Sequence, residues 1–191
     1  MARTKSFDPD TVLDKAVEVF WSRGFEAASV EDLVAGTGVN RASLYGTFGD
    51  KKDLFLKAID RYNDHSSIKA TAETTAPVRA VLENLFGGLI ERSTDGRYAG
   101  CLITNTVAEF GSSDPEILAR VRSSLAEREN ALDRLLRRGQ EEGDVPVNAD
   151  IRARARHLLA AIQGIQVISK INPDPRALQK IADEAVESAL R

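Results

Sequence analysis

The sequence predicts an all-α protein. Across 191 residues, apolar side chains recur at the three- and four-residue spacing of helices, and no run shows the two-residue alternation of a half-buried strand. Apolar residues make up 42% and charged residues 29%, which is typical of a globular chain. The length allows one small domain carried on a larger helical one.

Helical stripes follow one another along the chain. The first joins Leu13, Ala16, Val17 and Phe20, after an acidic start and before Gly24. The later predicted helices span residues 29–35, 40–48, 50–66, 78–90, 101–110, 117–136, 151–171 and 178–190, with turns at 95–97, 111–115, 143–146 and 172–175. A polar Ser/Thr/Ala-rich stretch, 64–77, is interpreted as a frayed joint between a domain of residues 1–62 and one of residues 63–191.

The most informative pattern begins at Ser29. Ser29 and Asp32 have the spacing of a capping box, and Gly36-Thr37-Gly38 supplies a turn in which a glycine can adopt positive φ. Asn40 is a good N-cap for a second short helix. Two short helices joined by a glycine turn and braced by a preceding amphipathic helix are typical of the helix-turn-helix motif, here residues 29–48.

At these positions the chain resembles the TetR family of transcriptional repressors. The motif is Ser29-Val30-x-x-Leu33-Val34-x-x-Thr37-Gly38-Val39-Asn40-x-x-Ser43-Leu44-Tyr45-x-x-Phe48-x-x-Lys51-x-x-Leu54, preceded by Ala16-Val17-x-x-Phe20-x-x-x-Gly24-Phe25. The likeness begins near Phe7. Thr47 departs from it, since the family often has histidine there, although a threonine hydroxyl can still meet a phosphate.

The resemblance implies a homodimer that binds a palindromic double-stranded DNA operator. The DNA contacts that it implies are Ser29, Val30, Asn40, Arg41, Ser43, Tyr45, Thr47 and Lys51. Asn40, Arg41 and Ser43 are expected to face bases or the nearby backbone, and the other five to contact phosphate. Tyr45 is expected to pack its ring inward and point its hydroxyl outward. Lys51 and Lys52 are expected to form an anion site at the start of a helix, and Arg3 and Lys5 a basic arm.

Charge restricts how such a protein could hold DNA. The net charge is −3, or −6 for a dimer (2 × −3), and residues 1–62 contain nine Lys/Arg against ten Asp/Glu. The positive field must therefore be a local patch. The cytoplasm is the expected location, because no apolar signal segment follows the basic N-terminus, no apolar run could span a membrane, and one cysteine cannot form an internal disulfide.

The second domain is expected to pair two copies and to hold a small-molecule inducer of unknown identity. The predicted dimer-interface residues are Leu158, Ile162, Ile165, Ile181, Ala185 and Val186, unless both stripes pack inside one protomer. The predicted ligand-binding residues are Phe86, Leu89, Cys101, Asn105, Phe110 and Gln163. Their composition favours an apolar or aromatic molecule.

Two alternatives stay open at this point. Cys101 begins an apolar helix, where the helix N-terminus favours a thiolate, so the chain could be a redox- or electrophile-responsive regulator. The chain could also be a helical ligand-binding protein without operator specificity. An enzyme is not expected, because no Gly-rich phosphate loop, Gly-x-Ser-x-Gly or His-Glu-x-x-His motif occurs. No catalytic residue or cofactor is predicted, nor a metal, since His65 and His157 lack ligand spacing.

Overall fold

The computed structural model describes residues 7–94 and 100–191, and ten helices lie within these two ranges. They are α1 (Pro9–Arg23), α2 (Val30–Thr37), α3 (Arg41–Phe48), α4 (Lys51–Asp64), α5 (Ser67–Ala70), α6 (Val78–Thr94), α7 (Leu102–Phe110), α8 (Pro115–Glu142), α9 (Ile151–Ile168) and α10 (Pro175–Leu190). The described ranges contain no strand, which confirms the all-α prediction. Arg3, Lys5 and the predicted turn at 95–97 lie outside them.

Aspartate side chains fix where many of these helices begin. The N-cap residues of α1, α4, α8, α9 and α10 are Asp8, Asp50, Asp114, Asp150 and Asp174, and each side chain accepts a hydrogen bond from an N–H of the first turn. A carboxylate there satisfies an amide that has no partner within the helix and interacts favourably with the helix dipole. The bounds of these helices therefore follow from local sequence.

The stretch predicted as a frayed joint is partly ordered. α5 forms one turn within it, and Ile68 and Thr71 are buried. The side chain of Ile68 packs into the hydrophobic cluster of the C-terminal half, so this segment connects α4 to α6 as a packed element. None of the helices in the described part of the chain is long and apolar enough to cross a bilayer.

Two hydrophobic clusters organise the helices. The N-terminal cluster combines buried side chains of α1–α4 with Cys101, Leu102 and Ile103 at the start of α7 and with Ile117 and Val121 of α8. The C-terminal cluster combines buried side chains of α5, α6, α9 and α10 with the second half of α8. The long helix α8 therefore contributes to both clusters and holds the two halves of the chain together.

Aromatic rings fill the centre of the N-terminal cluster. Phe55 of α4 is fully buried, with its ring centroid 4.9 Å from that of Phe20, 5.0 Å from that of Phe25 and 6.0 Å from that of Phe110. These rings come from α1, from the loop after it and from α7. Phe55 therefore ties α4 to α1 and α7 at once.

We expect Phe55→Ala to lower the free energy of unfolding by about 3–5 kcal/mol, because it removes a buried ring and leaves a cavity among three others. Urea denaturation followed by circular dichroism measures the change. Val147→Ala is the control, since Val147 is 91% exposed and its truncation should change stability by less than about 0.5 kcal/mol. A loss below about 1 kcal/mol for Phe55→Ala would contradict the packing described.

Candidate functional site

The turn between α2 and α3 has the local geometry that the sequence predicts. Ser29 caps α2 in a reciprocal box with Asp32, and Asn40 caps α3 by accepting from the Ser43 N–H at 2.9 Å. Gly38 adopts φ +74°, the left-handed conformation that ends α2 at little steric cost. Gly36 was predicted to belong to the turn, but it lies inside α2, where an added Cβ would be 2.3 Å from a Val19 methyl carbon.

The beginning of α3 is presented to solvent. Asn40, Arg41 and Ala42 are exposed, while Leu44 and Phe48 on the opposite side are buried in the N-terminal cluster. Arg41 forms no ion pair with a described residue, and its guanidinium carbon lies 5.8 Å from the Tyr45 ring centroid. An exposed helix start with a free guanidinium has the shape and donors needed to read a major groove.

Three other residues predicted to contact phosphate, Ser29, Val30 and Thr47, have side chains that are hydrogen-bonded within the protein or half-buried. The Ser29 hydroxyl is engaged with Asp32, whose pKa is lowered by the hydrogen bonds from the Ser29 backbone and side chain. Val30 and Thr47 are half-buried. Ser29 and Val30 nevertheless lie at the N-terminal end of α2, so their phosphate contacts stay predictions.

The structure corrects the prediction for Tyr45. Its hydroxyl oxygen is buried and has no hydrogen-bond partner, and this burial raises the pKa of the Tyr45 phenol. The hydroxyl therefore does not point outward, because the ring packs along the N-terminal cluster and directs its tip into the protein. In this arrangement a phosphate cannot reach it.

The two lysines at the start of α4 separate in space. The Lys51 ammonium lies 4.5 Å from the Phe25 ring centroid and 3.5 Å from the Glu26 carbonyl oxygen, so its charge is not neutralised by a carboxylate. The Lys52 ammonium lies 2.9 Å from carboxylate oxygens of both Asp114 and Glu116, whose hydrogen bonds raise the pKa of Lys52. Lys52 thus joins α4 to α8 and is not the free anion-binding group that the sequence predicted.

A cavity of about 400 Å³ lies where the two halves of the chain meet. One wall comes from α1, including Val17 and Trp21, and another from α4, including Tyr62. Leu85 and Leu89 of α6, Arg128 of α8 and Ile162 and Gln166 of α9 complete it. The volume is in the range of sites that bind small organic molecules.

Leu89 is the one predicted ligand-binding residue that lines this cavity. Phe86 is 1% exposed and packs inside the C-terminal cluster, while the Phe110 ring packs on Phe25 and Phe55 in the other cluster. Neither ring lines this cavity, because an apolar side chain on a helical stripe does not reveal whether it faces a cavity or other side chains. Trp21 was not among the predicted ligand-binding residues and yet lines the cavity.

The other residues predicted to bind ligand, Cys101, Asn105 and Gln163, do not line this cavity either. The Asn105 amide oxygen accepts from the Lys170 ammonium, and the Gln163 amide oxygen accepts from the Thr104 hydroxyl at 3.0 Å, on a different surface from the cavity. Cys101 is fully buried behind Gly100, so its sulfur does not line the cavity. The cavity residues Tyr62, Arg128 and Gln166 were missed, because only the crossing of α4, α8 and α9 brings them together.

The predicted dimer-interface residues need a similar correction. Leu158, Ile162, Ile165, Ala185 and Val186 are at most 3% exposed in a single protomer, and only Ile181 is partly exposed. These stripes pack against α6, α8 and each other in the C-terminal cluster, so other helices of the same protomer already cover them. The outward face of α9 carries instead Ala160, Gly164 and Val167.

Two family models match the chain. The model for bacterial regulatory proteins of the tetR family matches residues 12–58, and the model for the tetracyclin repressor-like C-terminal domain matches residues 75–185. The second alone spans more than half of the chain. The chain belongs to the TetR family.

Similar TetR-family proteins include two bacterial regulators of nearly the same length. The HTH-type transcriptional repressor ComR of Escherichia coli is 32% identical over 184 residues, covering 94% of this chain and 88% of that protein. The uncharacterized HTH-type transcriptional regulator YezE of Bacillus subtilis is 32% identical over 187 residues, covering 96% of each.

A solved TetR-family structure with DNA has the same fold. A cysteine mutant of the regulator CifR complexed with a 26-bp operator superposes with a TM-score of 0.83 at 26% identity, over 97% of this chain and 99% of that one. This protein is therefore a sequence-specific DNA-binding transcriptional regulator and not an enzyme.

We expect Arg41→Ala to weaken operator binding by roughly 1–3 kcal/mol, since the guanidinium is the free cation at the exposed start of α3. Fluorescence anisotropy with an operator recovered by in vitro selection measures the affinity. Arg122→Ala is the matched control, because Arg122 is an exposed arginine on α8, far along the chain from α3. Equal operator affinities of the Arg41→Ala variant and the unmodified protein would show that Arg41 does not contact the DNA.

Proposed function

We propose that this regulator is a repressor that binds a palindromic operator as a homodimer and is released when a small-molecule inducer enters the cavity. The observation that carries the proposal is that the DNA-binding half supplies two of the cavity walls, α1 and α4. An occupant of the cavity therefore touches the helices that support α3. The operator complex of CifR supports the DNA part of the proposal.

Release requires that the inducer bind one arrangement of the helices better than the other. Only Gly49, at φ +91°, and the N-cap Asp50 separate α3 from α4, and the C-terminal end of α4 reaches the cavity through Arg61 and Tyr62. A ligand that displaces the end of α4 relative to α8 therefore also displaces α3. The expected result is a changed separation of the two recognition helices in the dimer.

A homodimer follows from the requirements of recognition. One helix-turn-helix reads too few base pairs to select a single site in a genome, whereas two recognition helices about 34 Å apart read successive major grooves of a palindrome. The outward face of α9 suits pairing, because Ala160 and Gly164 are small and a Cβ added at Gly164 would meet nothing within 4 Å. Val167, 49% exposed, adds apolar area on the same face.

We expect Ala160→Glu to produce monomers, because it places a carboxylate on the small-residue face of α9. Sedimentation velocity measures the association state. Lys180→Glu is the control on the polar outward face of α10 and should stay dimeric. The unmodified dimer should prefer its operator to random duplex by at least about a thousand-fold at two salt concentrations, and the monomer should lose most of this preference.

Two results would oppose this proposal. A dimeric Ala160→Glu protein would place the interface elsewhere, and a wild-type protein that binds operator and random duplex equally would support a ligand-binding protein without operator specificity.

A second candidate function is regulation through Cys101, and the surroundings of its thiol favour it. Burial raises the pKa of the Cys101 thiol, but the Arg128 charge and hydrogen bonds from Tyr62 and the Thr104 backbone outweigh burial, so the pKa lies below its ordinary value. The Tyr62 hydroxyl is 3.5 Å and an Arg128 Nη is 3.6 Å from the sulfur. A lowered pKa raises the fraction of thiolate, which is the reactive form of cysteine.

We expect Cys101→Ser to abolish any release of the operator by hydrogen peroxide or a small electrophile, while operator affinity in the reduced state stays unchanged. The measurement is operator anisotropy with and without the reagent. Because Cys101 is the sole cysteine, a response that survives the substitution cannot be a thiol response and would eliminate this candidate.

A further inference from the structure

One side chain that lines the cavity is a buried cation, Arg128. Arg128 is 3% exposed and lines the cavity. Its Nε donates to the Asn63 amide oxygen at 3.4 Å, one Nη lies 3.6 Å from the Cys101 sulfur, and the guanidinium carbon lies 5.5 Å from the Tyr62 ring centroid. Within residues 7–94 and 100–191, no aspartate or glutamate forms an ion pair with it.

An unpaired buried charge is costly unless something else compensates it. The other arginine beside this end of α4 does not need a ligand, because the Arg61 guanidinium donates two hydrogen bonds to the Asp14 carboxylate, at 2.6 and 2.8 Å. Arg92 also lines the cavity, but it is exposed to solvent and donates to the Ser67 hydroxyl. The buried positive charge without compensation is therefore that of Arg128. A negatively charged group of a ligand would complete its environment.

A second polar group in the cavity also lacks a partner. Gln166 is 9% exposed and lines the same cavity, and its amide oxygen is buried without a hydrogen bond. A buried acceptor without a donor loses the hydrogen bond that water would have supplied. The site is therefore incomplete in two respects, and a ligand that satisfies both must carry an anionic group and a donor.

The other walls favour an apolar body between these two groups. Leu85, Leu89 and Ile162 supply aliphatic surface, and the rings of Trp21 and Tyr62 meet edge to face with centroids 5.0 Å apart. A flat or compact ring can pack against both surfaces.

We propose that the cavity binds a small organic acid with an aromatic or alicyclic ring and a hydroxyl or N–H donor. The carboxylate pairs with Arg128, the donor bonds to the Gln166 amide oxygen, and the ring packs against Trp21, Tyr62 and the aliphatic wall. This inference rests on the proposed function, because it names the chemical class of the inducer.

The test uses the fluorescence of Trp21, which is the sole tryptophan of the chain and lines the cavity. The full-length protein is titrated with para-hydroxybenzoate, para-hydroxyphenylacetate and 4-hydroxycyclohexanecarboxylate, and with the methyl ester of each. We expect saturable signals from acids of this set and binding of the esters weaker by about 30-fold or more, because the ester leaves the buried guanidinium unpaired.

Substitutions assign the two polar contacts. Arg128→Gln should abolish the preference for acid over ester, Arg128→Lys should retain it, and Gln166→Leu should abolish the preference for para-hydroxybenzoate over benzoate. Arg120→Gln is the matched control, since it removes an exposed arginine of α8 that pairs with Asp60 outside the cavity. The inference is overturned if no acid of the set gives a saturable signal, if the esters bind as tightly, or if Arg128→Gln keeps the acid preference.

Operator anisotropy in the same titrations separates this inference from the proposed function. Acids that saturate the Trp21 signal while the operator stays bound support the ligand class and refute induction. Esters that release the operator while the acids do not refute the ligand class and leave induction standing.

Discussion

The contact between α4 and α8 is the interaction on which the rest of the structure depends. Asn63 of α4 is buried there, donating to the Glu127 carboxylate at 2.8 Å and accepting from the Ser124 hydroxyl at 2.7 Å and from Arg128. α4 also contributes Phe55 to the N-terminal cluster and follows α3 after the two residues Gly49 and Asp50. The orientation of α3 relative to the C-terminal half is therefore set largely by this one helix pair.

The two ends of this contact differ in strength. At the α3 end, Lys52 pairs with Asp114 and Glu116, but these groups are partly exposed, and exposed ion pairs contribute little and are screened by salt. At the cavity end, the bonds of Asn63 are buried, where hydrogen bonds are harder to replace by water. The Lys52 contact is therefore the weaker and more salt-sensitive of the two, and the buried bonds of Asn63 contribute more to holding α4 on α8.

Local chemistry was predictable from the sequence, whereas the direction that a side chain faces was not. The capping box at Ser29, the cap at Asn40 and the positive φ of Gly38 depend on residues a few positions apart, and all three occur in the structure. The apolar stripe through Ile162 was equally visible, but a stripe only shows that one face is covered and does not show whether the protomer or a second copy covers it. For the same reason Tyr45 matched the family motif although its hydroxyl is turned inward.

Arg128 lines the cavity and also contacts α4, so a ligand that binds Arg128 acts directly on the α4–α8 contact. Its guanidinium donates to the Asn63 amide oxygen, lies over the Tyr62 ring and lies next to the Cys101 sulfur. None of these three partners is a carboxylate. A carboxylate forms stronger, charge-assisted hydrogen bonds to the same protons, so it competes with the bonds that orient α4. The coupling free energy between two binding sites usually amounts to about 1–3 kcal/mol, and one hydrogen bond contributes about 1 kcal/mol. Exchanging one or two of the hydrogen bonds of Arg128 is therefore enough to couple ligand binding to the orientation of α4. A thiolate at Cys101 competes for the same cation, and acid binding and thiol chemistry would then act on α4 through one group.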